Sequence, residues 1–160
     1  MTSNAIVDDP HRDIIYATEN QALPSGGRHF SRFADLEAYV ESVLAGSWWD
    51  REFPAAPIEV QLIRRSRSAT FSAAAVDRTG EEAAIWIRDG SWDAVTVVHE
   101  LAHVGSAQQV SSPDPTGPHG QEFATALLLL WREFLGLHAY GALLSGFDDH
   151  GVPYRRARLF

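Results

Sequence analysis

Residues 99 to 103 carry two histidines and a glutamate in an order that suits metal-dependent hydrolysis. The segment is His99-Glu100-Leu101-Ala102-His103, the His-Glu-x-x-His pattern. On a helix, residues four apart lie on one face, so both imidazoles can bind one zinc ion while Glu100 projects beside them. The pattern therefore predicts His99 and His103 as metal ligands and Glu100 as a catalytic carboxylate.

A third ligand has to come from elsewhere, because a catalytic zinc ion takes three protein ligands and keeps one position for water. The candidates are His119 and Glu122. His119 precedes Phe123 and Leu127 at helical spacing, which directs its ring toward the helix of the first two ligands. Glu122 lies one position off that stripe and could instead accept a hydrogen bond from a ligand imidazole. The spacing favours His119, with Glu122 as the alternative.

These residue types predict a hydrolytic reaction. Zinc lowers the pKa of its water to about 7 and polarises the carbonyl of the scissile bond. Glu100 would take the proton of that water and pass it to the leaving amine. A second donor to the developing oxyanion is also expected. The sequence does not choose among the chemically suitable residues His138, Tyr140, His150, Tyr154, Arg155, Arg156 and Arg158.

Composition narrows the kind of metal site and the kind of partner. The 160 residues include no cysteine, so a metal site must use histidine and carboxylate. The net charge of −8 disfavours phosphate backbones and anionic membrane surfaces. The longest apolar run, residues 123–131, is about half of a membrane span, and the first 25 residues contain no signal-like apolar stretch. We expect a cytoplasmic protein with a protein or peptide substrate and no nucleic-acid or membrane partner.

Hydrophobic spacing predicts an α+β fold in one domain, residues 1–160. Helices are expected within the first 25 residues and over residues 31–46, 92–107 and 119–137, with Ser31 and Ser91 as N-caps and Pro118 before the last. Period-two alternation predicts strands near residues 58–63, 70–76 and 83–88, separated by a polar turn at 64–68. Residues 105–118 are predicted to form a long loop, and residues 140–160 a tail without long regular elements.

The three strands are expected to form a small, mostly antiparallel meander of three to four strands, packed against the helices. The strand at residues 83–88 directly precedes the helix with the metal pattern. We expect this strand at the edge of the sheet, where it could accept an extended peptide by antiparallel pairing.

The run His99-Glu100-Leu101-Ala102-His103, with His119-Gly120-x-x-Phe123 after it, resembles the minimal zincin domain of SprT-like metallopeptidases. The resemblance covers roughly residues 83–137, and within that group the chain is most similar to a small, uncharacterised actinobacterial family of predicted metallohydrolases. It implies a zinc site of His99, His103 and His119, with Glu100 as the catalytic carboxylate. The chain departs from SprT-type proteins in lacking a Cys-rich zinc ribbon and in being acidic, which argues against DNA-linked roles.

Other functions compete with a zinc peptidase. Glu122-Phe123-Ala124 resembles the third-ligand segment of repressor-cleaving intracellular peptidases, in which a glutamate on the following helix binds the metal. A second alternative is a regulatory or interaction module that keeps zinc for structure alone. A hydrolase for a non-peptide substrate on the same scaffold is a third. The sequence does not indicate an oligomeric state.

Overall fold

Six α-helices and three strands make up the part of the chain that the computed structural model describes, residues 9–107 and 117–160. The elements follow the order α1 (Arg12–Ala22), α2 (Phe33–Leu44), α3 (Ser47–Glu52), β1 (Glu59–Arg65), β2 (Ala73–Val76), β3 (Glu82–Arg88), α4 (Ala94–Ser106), α5 (Gln121–Phe134) and α6 (Leu137–His150). A short 3-10 helix, Arg156–Arg158, follows α6. The predicted α+β class is confirmed.

The sheet has the strand order β1-β3-β2, so β3 is its central strand. β1 runs parallel to β3 along its whole length, and β2 pairs antiparallel with the other edge of β3. The predicted antiparallel meander is therefore wrong, and so is the predicted edge position of β3. The physical reason is burial: Ala83, Ile85 and Ile87 are all buried, and this most apolar strand takes the central position. Both edges of β3 are paired and cannot accept a peptide.

Strand β1 includes two residues for which a turn was predicted. Arg64 and Arg65 pair with Ile87 and Arg88 and extend β1 beyond the predicted strand. The predicted turn at 64–68 therefore begins two residues too early.

Helix α4 carries the metal pattern and begins at Ala94 rather than near Trp92. Its N-cap is Asp93, whose side chain accepts a hydrogen bond from the backbone N–H of Thr96 at 2.9 Å. The prediction of Ser91 as the cap is therefore wrong. Helix α2 likewise has Arg32, rather than Ser31, at its N-cap position.

The predicted irregular tail is wrong, because residues 137–150 form helix α6. Ala139, Leu143 and Phe147 recur every four residues and are buried, so they form the apolar stripe of this helix. Gly146 does not break the helix; it allows close packing against α1, where a Cβ at this position would lie 2.3 Å from Thr18 Cγ2. Helix α5 ends at Phe134, and Gly136, with φ of 94°, separates it from α6.

The core gathers buried apolar side chains from the helices and the sheet into one cluster. Helix α5 lies within it: residues 126–131 are 0% exposed, which explains the long apolar run. Helix α5 packs on both α4 and α6, and α1 packs on α6. Among the described residues, no helix is long and apolar enough to cross a membrane. Most of the predicted 105–118 loop, residues 108–116, lies outside the described residues.

Candidate metal and catalytic site

Three histidines converge where α4 packs against the start of α5. His99 and His103 lie one turn apart on α4, and His119 lies in the short turn that precedes α5. One ring nitrogen from each histidine lies within 4.8 Å of the other two. His99 and His119 are buried, with 2% and 6% of their surfaces exposed. The described residues thus contain a buried three-histidine group that can hold a metal ion.

Two carboxylates hold the outer nitrogens of this group. Glu19 Oε1 lies 2.8 Å from His99 Nδ1, and Asp9 Oδ2 lies 2.8 Å from His119 Nδ1. A carboxylate accepts hydrogen bonds, so both Nδ1 atoms carry protons and each neutral ring presents its lone pair at Nε2. Metal-binding histidines commonly have such carboxylate partners.

The inner nitrogens of His99 and His119 have a spacing that suits one metal ion. Their Nε2 atoms are 3.2 Å apart. Two lone pairs at this distance repel each other unless a proton or a metal ion lies between them. Zinc–nitrogen bonds of about 2.0–2.1 Å in a tetrahedral site place two nitrogens roughly 3.3 Å apart. The observed separation fits shared coordination.

Both carboxylates come from the N-terminal part of the described chain. Glu19 is on α1, and Asp9 precedes α1 and also accepts the backbone N–H of His119 at 3.2 Å. Neither residue was predicted from the sequence. Glu19 could have been noticed because it lies four residues after Ile15, on the buried stripe of a predicted helix, where an acidic residue needs a partner.

Glu100 lies beside the histidines with a buried carboxylate. The residue is 3% exposed, and its Oε2 atom has no hydrogen-bond partner among the described residues. Burial raises the pKa of Glu100 to about 7; the nearby His99 opposes the rise, and the Glu19 carboxylate adds to it. A buried acceptor without a partner is costly, so it marks a position that a water or substrate proton can use.

The pKa values of the histidines follow from burial and neighbouring charge. Burial lowers the pKa of His103 well below its usual value, and the neighbouring His99 and His119 lower it further. Burial also lowers the pKa of His119, although Asp9 opposes the change. For His99, burial favours the neutral ring, but Glu19 and Glu100 outweigh it and raise the pKa. His103 and His119 therefore favour the neutral form that binds metal.

Two aromatic rings hold the imidazoles in place. Tyr16 stacks on His99 with ring centroids 4.5 Å apart and an interplanar angle of 18°. The Phe123 ring lies 4.9, 4.3 and 4.8 Å from the rings of His99, His103 and His119. Burial raises the pKa of Tyr16 to about 12, so its hydroxyl is neutral near neutral pH. No sequence pattern indicated Tyr16, which α1 brings to the site.

A cavity of about 170 Å³ opens beside Glu100 and His99. It lies between α1, the residues just before β2 and the first turns of α4, and its walls include Tyr16, Phe71 and Arg88. A small group bound in this cavity would therefore lie next to both Glu100 and His99.

The structure places the other predicted site residues elsewhere. Glu122 is hydrogen-bonded to Arg155 and is not a member of the three-histidine group. Among the described residues, none of the seven suggested oxyanion donors lines the cavity beside Glu100. Tyr154 and Arg156 form hydrogen bonds with Asp148, and Arg155 forms one with Glu122. Arg158 and His150 are hydrogen-bonded to backbone carbonyls. Tyr140 lies against the Arg132 guanidinium, and His138 is exposed.

No protein-family model, curated protein or solved structure matches this chain. The resemblance to SprT-like metallopeptidases therefore stays a prediction. The function has to be inferred from the three histidines, Glu100 and the cavity beside them.

Proposed function

We propose that this chain is a zinc-dependent hydrolase that cleaves a peptide or another amide bond. The observation that carries the proposal is the pairing of the buried three-histidine group with a carboxylate oxygen of Glu100 that has no hydrogen-bond partner in the described part of the chain. Metal ligands alone would also suit a structural site. A buried carboxylate beside the ligands, facing a cavity, is what hydrolysis additionally requires.

His99, His103 and His119 would hold the ion. Three imidazoles without a thiolate suit zinc and leave a position for an exchangeable ligand. Zinc in such a site supplies Lewis acidity, which polarises a carbonyl and makes water acidic near neutral pH. Glu19 and Asp9 hold the protons of His99 and His119 on Nδ1, which keeps both Nε2 lone pairs directed at the ion.

Glu100 would act as the general base and proton carrier. Its Oε2 atom would accept the proton of the attacking water and return it to the leaving amine. Tyr16 is the candidate for a hydrogen bond to the developing oxyanion, because its neutral ring stacks on His99 and lines the same cavity as Glu100.

Strand β2 offers a place for an extended substrate. It lies at one edge of the sheet, and the residues directly before it, Phe71 and Ser72, line the cavity beside Glu100. A peptide paired with β2 could therefore run past the candidate base, recognised mainly through its backbone. Such pairing favours a protein or peptide substrate; a cytoplasmic location stays a prediction.

Zinc content measured by mass spectrometry tests the ligand assignment. We expect about one zinc per chain in the wild type, and loss of that zinc in His119→Ala. The matched control is His138→Ala, which removes an exposed histidine and should leave the zinc content unchanged. Retention of zinc by His119→Ala, with loss in Glu122→Ala, would transfer the third-ligand role to Glu122.

Hydrolysis of a broad peptide pool tests the catalytic assignment. Glu100→Gln should keep the zinc and lose about 10²- to 10⁴-fold in rate, because the amide cannot accept the water proton. Undiminished hydrolysis by Glu100→Gln would refute the role of Glu100. A zinc-loaded wild type that cleaves nothing in the pool would instead favour the structural zinc module.

A further inference from the structure

Arg88, the last residue of β3, lines the cavity beside Glu100. Its Nε donates to the carbonyl oxygens of Ala69 and Arg67, at 2.8 and 3.1 Å, and its Nη1 donates to Ser91 Oγ at 3.1 Å. All three acceptors are neutral. They fix the orientation of the guanidinium and leave its charge uncompensated.

No carboxylate lies within 4.0 Å of the Arg88 guanidinium in the described part of the chain, and Nη2 forms no hydrogen bond there. A partly buried cation without a counter-ion is costly, so an anion entering the cavity would be stabilised.

The rest of the cavity wall agrees with a polar ligand. Glu19 and Glu100 also line it, but they are 2% and 3% exposed, whereas Arg88 is partly exposed. Arg88 is therefore the charged group of the wall that a ligand can reach most directly. Thr70, Ser72 and Ser91 add hydroxyl groups to the wall. A purely apolar substrate group would leave these polar atoms without partners.

We propose that Arg88 binds a carboxylate of the substrate, so that the enzyme prefers amide bonds close to an acidic group. This inference rests on the proposed hydrolase function. A guanidinium with free Nη hydrogens matches a carboxylate in shape and charge. The cavity, about 170 Å³, has room for one substrate side chain or chain end. The carboxylate can therefore come from an acidic side chain or from a free C-terminus.

Two small probes test the inference without knowledge of the natural substrate. Glutaric acid monohydroxamate carries a zinc-binding hydroxamate at one end and a carboxylate at the other. The second probe keeps the hydroxamate but has a neutral carboxamide in place of the carboxylate. Calorimetry on the zinc-loaded protein should show the acid binding about ten- to a hundredfold more tightly than the amide. The ratio of the acid's affinity to the amide's affinity should fall to near one in Arg88→Gln and to an intermediate value in Arg88→Lys. The ratio should stay unchanged in the control Arg64→Gln.

The outcomes separate the two proposals. Equal binding of the acid and the amide to the wild type would overturn the role of Arg88 and leave the zinc hydrolase intact. Failure of both probes to bind a wild type that also holds no zinc would overturn the hydrolase itself. The wild-type preference needs no variant, so the test holds even if Arg88→Gln, which removes contacts to Arg67 and Ala69, does not fold.

Peptide pools with free or amidated C-termini identify the source of the carboxylate. Cleavage beside Asp or Glu whether or not the peptide is amidated assigns Arg88 to an acidic side chain. Cleavage near the C-terminus that amidation abolishes assigns it to the terminal carboxylate. Cleavage that is indifferent to both features would contradict the inference.

Discussion

Substitution of Glu19 is an informative test of the site because it leaves all three proposed metal ligands in place. It is 2% exposed, and its Oε1 accepts a hydrogen bond of 2.8 Å from His99 Nδ1. Glu19→Gln keeps the shape and an acceptor oxygen but removes the charge. Glu19→Ala also leaves the buried Nδ1–H of His99 without its acceptor.

The size of the effect follows from these contacts. A hydrogen bond to a charged group contributes about 1.5–3 kcal/mol, and each 1.4 kcal/mol corresponds to about a tenfold change in affinity. We therefore expect zinc affinity to fall about tenfold in Glu19→Gln and toward a hundredfold in Glu19→Ala, the range known for such partners of metal-binding histidines. Asp9→Asn should cost less, because the Asp9 side chain is 17% exposed while that of Glu19 is 2% exposed.

Competition with a chelating dye measures the affinity directly. The control is Glu37→Gln, an exposed glutamate on α2, which should leave the affinity unchanged. Wild-type zinc affinity in Glu19→Ala, in a variant shown by circular dichroism to be folded, would refute the idea that α1 orients the ligand.

The remaining predictions concern packing, capping and metal linkage. Gly146→Ala should lower the free energy of unfolding by about 1–3 kcal/mol in urea titrations, because the new Cβ would clash with Thr18 Cγ2. Adding Thr18→Ser to this variant removes the clashing methyl group and should restore most of the lost stability. Asp93→Ala should cost about 1 kcal/mol, whereas Asp93→Asn should cost little because asparagine also caps helices; equal losses would contradict the capping role. Zinc at about 100 times its dissociation constant should add about 2.7 kcal/mol to the unfolding free energy; His103→Ala should show no such gain.

The local part of the site could be predicted from the sequence because helical geometry determines it. His99, Glu100 and His103 share one helix, and the spacing of His119 from Phe123 gave the side on which the next helix presents its ring. The α+β class followed in the same way from two distinct hydrophobic periods.

The features that depend on contacts between residues far apart in the sequence could not be predicted. Alternation shows which residues of a strand share a face but not which strands are neighbours, so the parallel pairing of β1 with β3 had no local signal. Gly141 and Gly146 favoured an irregular tail in the sequence-based prediction. In the structure, the absence of a side chain at Gly146 lets α6 pack closely against α1. Tyr16 and Glu19 reach the site because α1 contacts α4 at His99, and Asp9, just before α1, reaches it by contacting His119.

X-ray absorption at the zinc edge tests the central claim, a three-histidine zinc site with an exchangeable position. We expect the wild type to show about three imidazole nitrogens at roughly 2.0–2.1 Å, at least one further light atom and no sulfur. His119→Ala should show one imidazole fewer. Four imidazoles in the wild type, or an unchanged count in His119→Ala, would contradict the site described for this chain.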